Sequence, residues 1–260
     1  MKPLQELRDA GRLRGLLFDI DETLTTEGRL TAEAYAAMER LKRAGRLVVP
    51  ITGRPAGWCD HIARMWPVDA VVGENGAFYF CFSGGRLHKR FQDAEDVRAA
   101  NRSRLQAIGA RILAQVPGCA LASDQPYRET DLAIDYCEDV PTLPLAAAAR
   151  IAELMRAEGL TAKISSIHVN GWFGAYDKLA MTRLLLAERF STDLVAANAR
   201  LAFAGDSPND APMFAFFENS VGVANVARFA GSLEAEPKFV TRGRSGSGFA
   251  ELAAHLLGEA

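Results

Sequence analysis

The stretch Phe18-Asp19-Ile20-Asp21-Glu22-Thr23-Leu24-Thr25 decides the fold. It continues a short apolar run, Gly15 to Ile20, long enough for a buried strand. Asp19 and Asp21 are two residues apart, so both side chains point to one side while the chain stays extended. Ligands of open α/β sheets bind outside the carboxyl ends of strands. Hard carboxylate oxygens at such a place suit Mg²⁺. Alone, the pair is equally a solvated turn, and its weight depends on the rest of the chain.

Outward from this stretch the first quarter alternates strands and helices. Thr31 to Ala44 has helical spacing, with Ala34, Ala37, Met38 and Leu41 on one face, Thr31 as cap and Gly45 as stop. Arg46 to Ile51 is the next strand, with Pro50 tolerable near its end. Pro55 opens a helix to about Trp66, and Asp69 to Gly73 is a third strand. The cadence implies a parallel sheet covered by helices. The middle differs: a hairpin (Ala77 to Phe82, Leu87 to Phe91), a long helix from Ala94 to Val116, and strands and a second helix up to Trp172. It reads as an inserted α+β unit. From Asp177 the first rhythm returns: a helix to Phe190, a strand at Arg200 to Ala204, and a last helix from about Phe249. Arg242 to Gly248 (RGRSGSG) reads as a flexible basic surface loop. Phe214, Phe216, Phe217, Trp58 and Trp66 read as core.

Three further segments end strands or begin helices with chemically useful groups. Thr52-Gly53-Arg54-Pro55 offers a hydroxyl and backbone N–H groups at a helix start, a seat for phosphate. Gly205-Asp206-Ser207-Pro208-Asn209-Asp210 adds two carboxylates and an amide. Lys178 stands in the first turn of a helix, where a cation opposes the helix dipole. It is well placed only if it faces carboxylates and a phosphate; Lys163 is a rival.

In this order the segments FDIDETLT, ITGR, YDKL and FAGDSPNDAPMF resemble the four motifs of the haloacid dehalogenase superfamily. The insert resembles the type IIB cap of Cof-like, sucrose-phosphate, trehalose-phosphate and mannosyl-phosphoglycerate phosphatases. The resemblance implies an α/β fold, a Rossmann-like parallel-sheet core with an α+β cap. The core would be 1–84 and 174–260, and the cap 85–173. It implies Asp19 as nucleophile, Asp21 as general acid and base, and Lys178 as charge stabiliser. It also implies phosphate binding by Thr52, Gly53 and Asn209, and Mg²⁺ at Asp19, Asp21, Asp206 and Asp210. Arg54, His168 and Asn170 are candidates for substrate contact. One departure is Glu22, where the first motif usually has glycine.

The implied function is a Mg²⁺-dependent phosphatase acting on a phosphorylated small metabolite, a sugar phosphate or phosphorylated glycoside. A phosphomannomutase-like enzyme shares the cap type, but no arginine cluster in the cap suits a bisphosphate. A catalytically silent metabolite-binding module is the third reading, and the intact carboxylates oppose it.

Composition narrows the partners. The chain has 260 residues, 49% apolar and 24% charged, with net charge −2. That balance gives no basic excess for nucleic acid. No segment approaches a membrane span, and the start lacks the apolar core of a signal peptide. Cys59, Cys81, Cys119 and Cys137 are scattered and read as free core thiols, so a reducing cytoplasm is expected. A monomer or homodimer is expected.

Overall fold

The computed structural model describes residues 1–259. The first part runs β1 (Lys2–Pro3), β2 (Gly15–Phe18), α1 (Ala32–Arg43), β3 (Leu47–Pro50), α2 (Ala56–Met65), β4 (Val71–Gly73), β5 (Phe78–Ser83) and β6 (Arg86–Phe91). The middle runs α3 (Glu95–Gln115), β7 (Ala120–Leu121), β8 (Asp131–Asp135), α4 (Leu145–Ala157), β9 (Thr161–Ile164) and β10 (His168–Trp172). The last part runs α5 (Lys178–Phe190), α6 (Leu194–Ala197), β11 (Leu201–Gly205), α7 (Ala211–Phe216), β12 (Asn219–Gly222), β13 (Phe239–Val240) and α8 (Ser245–Leu257).

The main sheet has the order β1-β13-β12-β11-β2-β3, with every pairing parallel. Side-chain alternation along β2 divides the core. Leu16 and Phe18 face α1 and α8, whereas Leu17 joins Val49, Phe203, Leu185 and Phe214 on the opposite face. A strand buried on both faces is therefore a continuous apolar run. Leu17→Ala would leave a cavity at a cost of about 2–5 kcal/mol. β2 lies between β11 and β3, so the loops after these strands converge at one sheet end.

The cap has a four-stranded antiparallel sheet, β7-β8-β10-β9. Leu132, Ile134 and Val169 pack under α3 and α4. Asp131, Asp135, His168 and Asn170 alternate with them and lie on the other face, toward the core. This period of two brings cap polar groups over the ends of β2 and β3.

Some expectations are corrected. β4 pairs antiparallel with β5, in the sheet β4-β5-β6, and is joined to the parallel sheet by an isolated Ile51–Val72 bridge. The Phe78–Phe80–Phe91 ring cluster holds this hairpin against α2. Arg242 to Gly248 is not a flexible surface loop. α8 begins at Ser245, and Ser245, Gly246 and Gly248 are buried. Trp58 is 42% exposed, with the Arg54 guanidinium 4.3 Å over its ring. Phe216 is half-buried, as are Cys119 and Cys137; all four cysteines are free.

Candidate active site

Asp19 follows β2 directly, and its N–H donates to Ala204 O, which keeps it in line with β11. Lys178, only 1% exposed, donates to Asp19 Oδ1 at 3.0 Å and to Asp210 Oδ1 at 2.7 Å. Its helix start is fixed from below. Asp177 caps α5 through Ala180 N at 2.7 Å. Gly76, at φ +106°, packs so closely that a Cβ there would overlap Asp177 O. Burial lowers the Lys178 ammonium, yet the charges of Asp19 and Asp210 outweigh it and hold Lys178 above its ordinary range.

Asp210 positions more than the lysine. Its Oδ2 accepts from Asp206 N at 3.0 Å and Ser207 N at 3.4 Å. Gly205 has to be glycine for this approach, since a Cβ would run into that carboxylate. Asn225 Nδ2 donates to Asp206 Oδ2 at 3.0 Å and to Glu22 O at 2.8 Å. Asp206 Oδ1 is buried without a partner. Asp19, Asp206 and Asp210 each offer an oxygen within 4.8 Å of the others. Among the described residues Lys178 is the sole cation bonded to this set, which is short of positive charge. Burial pushes the Asp19 carboxyl up, Lys178 opposes this, and Asp210 and Asp21 add to it, for a value of about 7. Burial, then the charges of Asp19 and Asp210, hold Asp206 well above the usual carboxylate range. An orphan carboxylate oxygen in such a set is a fit for a metal ion.

The departure at Glu22 leaves the turn in place. Glu22 takes φ +56°, a left-handed conformation costing about 1–2 kcal/mol for a residue with a Cβ. Its carboxylate accepts from Gly28 N at 3.3 Å and from Ser245 Oγ at 2.9 Å, which offsets that cost. The α8 start read as a loose loop is thus a support of the Asp21–Glu22 turn.

Thr52 is fully buried, and its Oγ1 accepts from Arg54 N at 3.0 Å. Asn209 Nδ2 donates to Asn75 Oδ1 at 3.1 Å, and Ser207 Oγ holds Asn209 Oδ1 at 2.8 Å. Asn75 Nδ2 has no partner and lies against Gly53.

Arg54 ties core to cap. Its Nε donates to Asp21 Oδ1 at 2.9 Å and Oδ2 at 3.0 Å. Its other nitrogens reach Glu138 Oε1 at 2.5 Å and Asp124 Oδ2 at 3.3 Å. Asp135 accepts from the N–H groups of Cys137, Glu138 and Asp139 and so aims Glu138. Burial raises the Glu138 carboxyl, but His168 and Arg54 outweigh it and hold it at about 2. His168 Nε2 lies 2.9 Å from Glu138 Oε2, outside hydrogen-bond geometry. Asn170 Nδ2 donates to Asp131 Oδ2 at 2.8 Å. Fully buried Arg128 joins Asp131, Asp124 and Gly53 O.

Asp19, Asp21, Gly53, Arg54, His168, Asn170 and Asn209 line one cavity of about 10 Å³ between cap and core. Thr52, Lys178, Asp206 and Asp210 stand behind it, joined to it by the bonds above. Sequence reasoning missed Asn75, Glu138 and Asn225. Only the polar turn Gly73 to Ala77 carried a signal for Asn75.

Residues 16–100 match the family model for haloacid dehalogenase-like hydrolases. No curated protein matches the chain in sequence. Among solved structures, the C-terminal domain of a C. albicans trehalose-6-phosphate phosphatase is 13% identical, with TM-score 0.71 over 100% of this chain and 99% of that one. The Synechocystis sucrose-phosphatase, solved with sucrose and phosphate, is 17% identical at TM-score 0.63, over 94% and 98%. A haloacid dehalogenase-like hydrolase of Bacteroides thetaiotaomicron is 14% identical at TM-score 0.61, over 94% and 99%. These likenesses show the shared fold, a parallel-sheet core with a cap.

Proposed function

We propose, from the match of residues 16–100 to the model of haloacid dehalogenase-like hydrolases and the geometry of the site, that the chain is a Mg²⁺-dependent phosphatase of a phosphorylated small metabolite, with Asp19 as nucleophile. One observation carries this reading: a buried lysine bridges Asp19 and Asp210 beside the orphan oxygen of Asp206. A carboxylate nucleophile repels an anionic ester unless cations stand close to both.

Asp19 attacks phosphorus and the bond to the leaving oxygen breaks, giving an aspartyl-phosphate and an alkoxide. Asp21 supplies the proton that the alkoxide needs. Asp21 then accepts a proton from a water that attacks the same phosphorus, which frees phosphate and restores Asp19. Arg54 bonds Asp21 through Nε and holds the carboxylate in place between the steps. Mg²⁺ would be held by the Asp19 carboxylate, the Asp21 carbonyl and Asp206, where it would neutralise charge and orient phosphoryl oxygens. Asp210 backs this set, because both its oxygens are engaged by Lys178 and the Asp206 loop. Lys178, Thr52, the Gly53 N–H and Asn209 would hold the phosphoryl oxygens. Removing one such donor typically costs about 3–4 kcal/mol of transition-state stabilisation. Arg54, His168 and Asn170 face the leaving group from the cavity that they share with Asp21.

The division into core 1–84 and 174–260 and cap 85–173 belongs to this reading, with the β5–β6 hairpin straddling the first boundary. So does a reducing cytoplasm, in keeping with four free thiols. No helix among the described residues is long and apolar enough to cross a membrane. A sugar phosphate or phosphorylated glycoside is the substrate class we favour, supported by the fold shared with sugar-phosphate phosphatases. The test is phosphate release from a panel of phosphorylated sugars with Mg²⁺, before and after chelation. Release that chelation stops is expected; no release from any member would overturn the proposal.

A further inference from the structure

Arg128 belongs to the cap, yet one of its bonds ends in the phosphate-binding turn of the core. Its side chain is fully buried in the segment that joins β7 to β8. Nε and Nη2 hold the two oxygens of Asp124 at 2.9 and 3.0 Å, and Nη1 holds Asp131 Oδ1 at 3.0 Å. These carboxylates lie four residues before Arg128 and three after it, so its charge is compensated within the cap. Nη1 also donates to Gly53 O at 2.8 Å, across 75 residues of sequence. That bond adds nothing to the compensation of charge; it fixes a carbonyl of the core.

Gly53 O and Arg54 N belong to one peptide unit. Arg54 N–H donates to Thr52 Oγ1 at 3.0 Å. A threonine hydroxyl has a single proton. Thr52 Oγ1 accepts from the turn, and among the described residues it donates to nothing. Gly53 N–H likewise donates to no protein group among them. The bonds therefore run from Arg128 through the Gly53–Arg54 peptide to the Thr52 hydroxyl, whose proton is left for an acceptor in the cavity. Hydrogen bonds in such a chain polarise one another.

Glu74 sets the register between the two segments. Its Oε1 accepts from Ala56 N and from Glu129 N, both at 2.9 Å, and its Oε2 from Thr130 N at 2.7 Å. One carboxylate thus ties the helix start behind the phosphate turn to the residues that follow Arg128. Gly57 meets the same part of the cap, where an added Cβ would stand 3.0 Å from Tyr127 Cβ.

We propose that Arg128 is a positioning residue for phosphoryl binding: from the cap it holds the Gly53–Arg54 peptide plane and so aims the Thr52 hydroxyl and the Gly53 N–H at the phosphoryl oxygens. This rests on the phosphatase reading above and deepens it. Because Asp124 and Asp131 compensate its charge, Arg128 acts by geometry. A lysine in its place keeps the charge and loses the planar fork.

The experiment measures p-nitrophenyl phosphate turnover with Mg²⁺ and its competitive inhibition by inorganic phosphate. Wild type, Arg128→Lys, Thr52→Val and the double variant are compared. Inorganic phosphate has no leaving group, so its inhibition constant reports the phosphoryl seat alone. Arg128→Lys is expected to raise that constant about tenfold. In the Thr52→Val background the factor is expected to be smaller, because part of the effect passes through the hydroxyl. A structural role alone would lower the unfolding midpoint and leave the constant of the folded protein unchanged. Should Arg128→Lys not fold, Asp124→Asn, which loosens the hold on Nε and Nη2 of Arg128, takes its place in the same cycle. An unchanged constant, or an equal factor in both backgrounds, would overturn the inference while p-nitrophenyl phosphate turnover keeps the phosphatase reading. No turnover of p-nitrophenyl phosphate or of any phosphorylated sugar would overturn both.

Discussion

The core side and the cap side of the cleft handle buried carboxylates in opposite ways. On the cap side Glu138, Asp124 and Asp131 have a guanidinium beside them: Arg54, which also bonds Asp21 of the core, reaches Glu138 and Asp124, and Arg128 bonds Asp124 and Asp131, while Asp135 is held by backbone N–H groups. On the core side Lys178 serves Asp19 and Asp210, and Asp206 has no cation beside it among the described residues. Glu138 is accordingly held at about 2, whereas Asp19 is pushed up to about 7. A balanced network fixes positions and keeps cap against core. An unbalanced one sits where a cation and a transferring phosphoryl group are to meet, at the ends of β2 and β11. Stability is given up at that point for chemistry.

The largest effect expected from breaking this contrast is on turnover. Asp19→Asn keeps the shape and removes the nucleophile, so steady-state phosphate release should fall by at least about 10⁴-fold. Lys178→Met removes the cation that bonds Asp19 and Asp210. Breaking a buried pair typically costs about 3–5 kcal/mol, and denaturant unfolding in chelator should show a loss of that size. Arg54→Met is the cap counterpart, and its loss should appear with or without Mg²⁺, whereas that of Lys178→Met should shrink when Mg²⁺ is added. Next is Asn225→Ala, which frees Asp206 to rotate and should raise the half-saturating Mg²⁺ concentration about 10–100-fold. Titration of phosphate release with Mg²⁺ checks this.

The smallest effect concerns pH, and its sign differs between the two sides. The folded-state value of Asp19 lies above its unfolded one, so between about 3.8 and 7 the native protein keeps a proton that the unfolded chain has lost. Stability from this group therefore falls as pH rises through that window in the metal-free protein. Glu138 is depressed, so its contribution is present above about 4.5 and is lost as pH falls toward 2. Unfolding free energies across this range, with chelator and with Mg²⁺, should show the first slope flatten on adding the ion and the second remain.

Much of this was legible in the sequence because it is local. The alternation of GLLFDI and the spacing of Asp19 and Asp21 follow from the strand period alone. The cap on α5 is local too, since Asp177 lies next to Lys178. The contacts that sequence reading missed are made across long separations. Asn225 reaches Glu22, and Arg54 reaches Glu138, only after the sheet and cap have assembled. The RGRSGSG stretch misled because glycine and serine signal flexibility, whereas here small side chains let the start of α8 pack against Leu24 and Thr26. Trp58 has helical spacing, yet its ring lies outside the core beneath Arg54.

The central claim is that Asp19 carries the phosphoryl group during turnover. Quenching the enzyme in the steady state and reducing acyl phosphate with borohydride converts a phosphorylated aspartate to homoserine. Peptide mapping by mass spectrometry should find homoserine at position 19 only when substrate and Mg²⁺ were both present. Unmodified Asp19 under rapid turnover, together with an Asp19→Asn protein that still releases phosphate at the wild-type rate, would contradict the account.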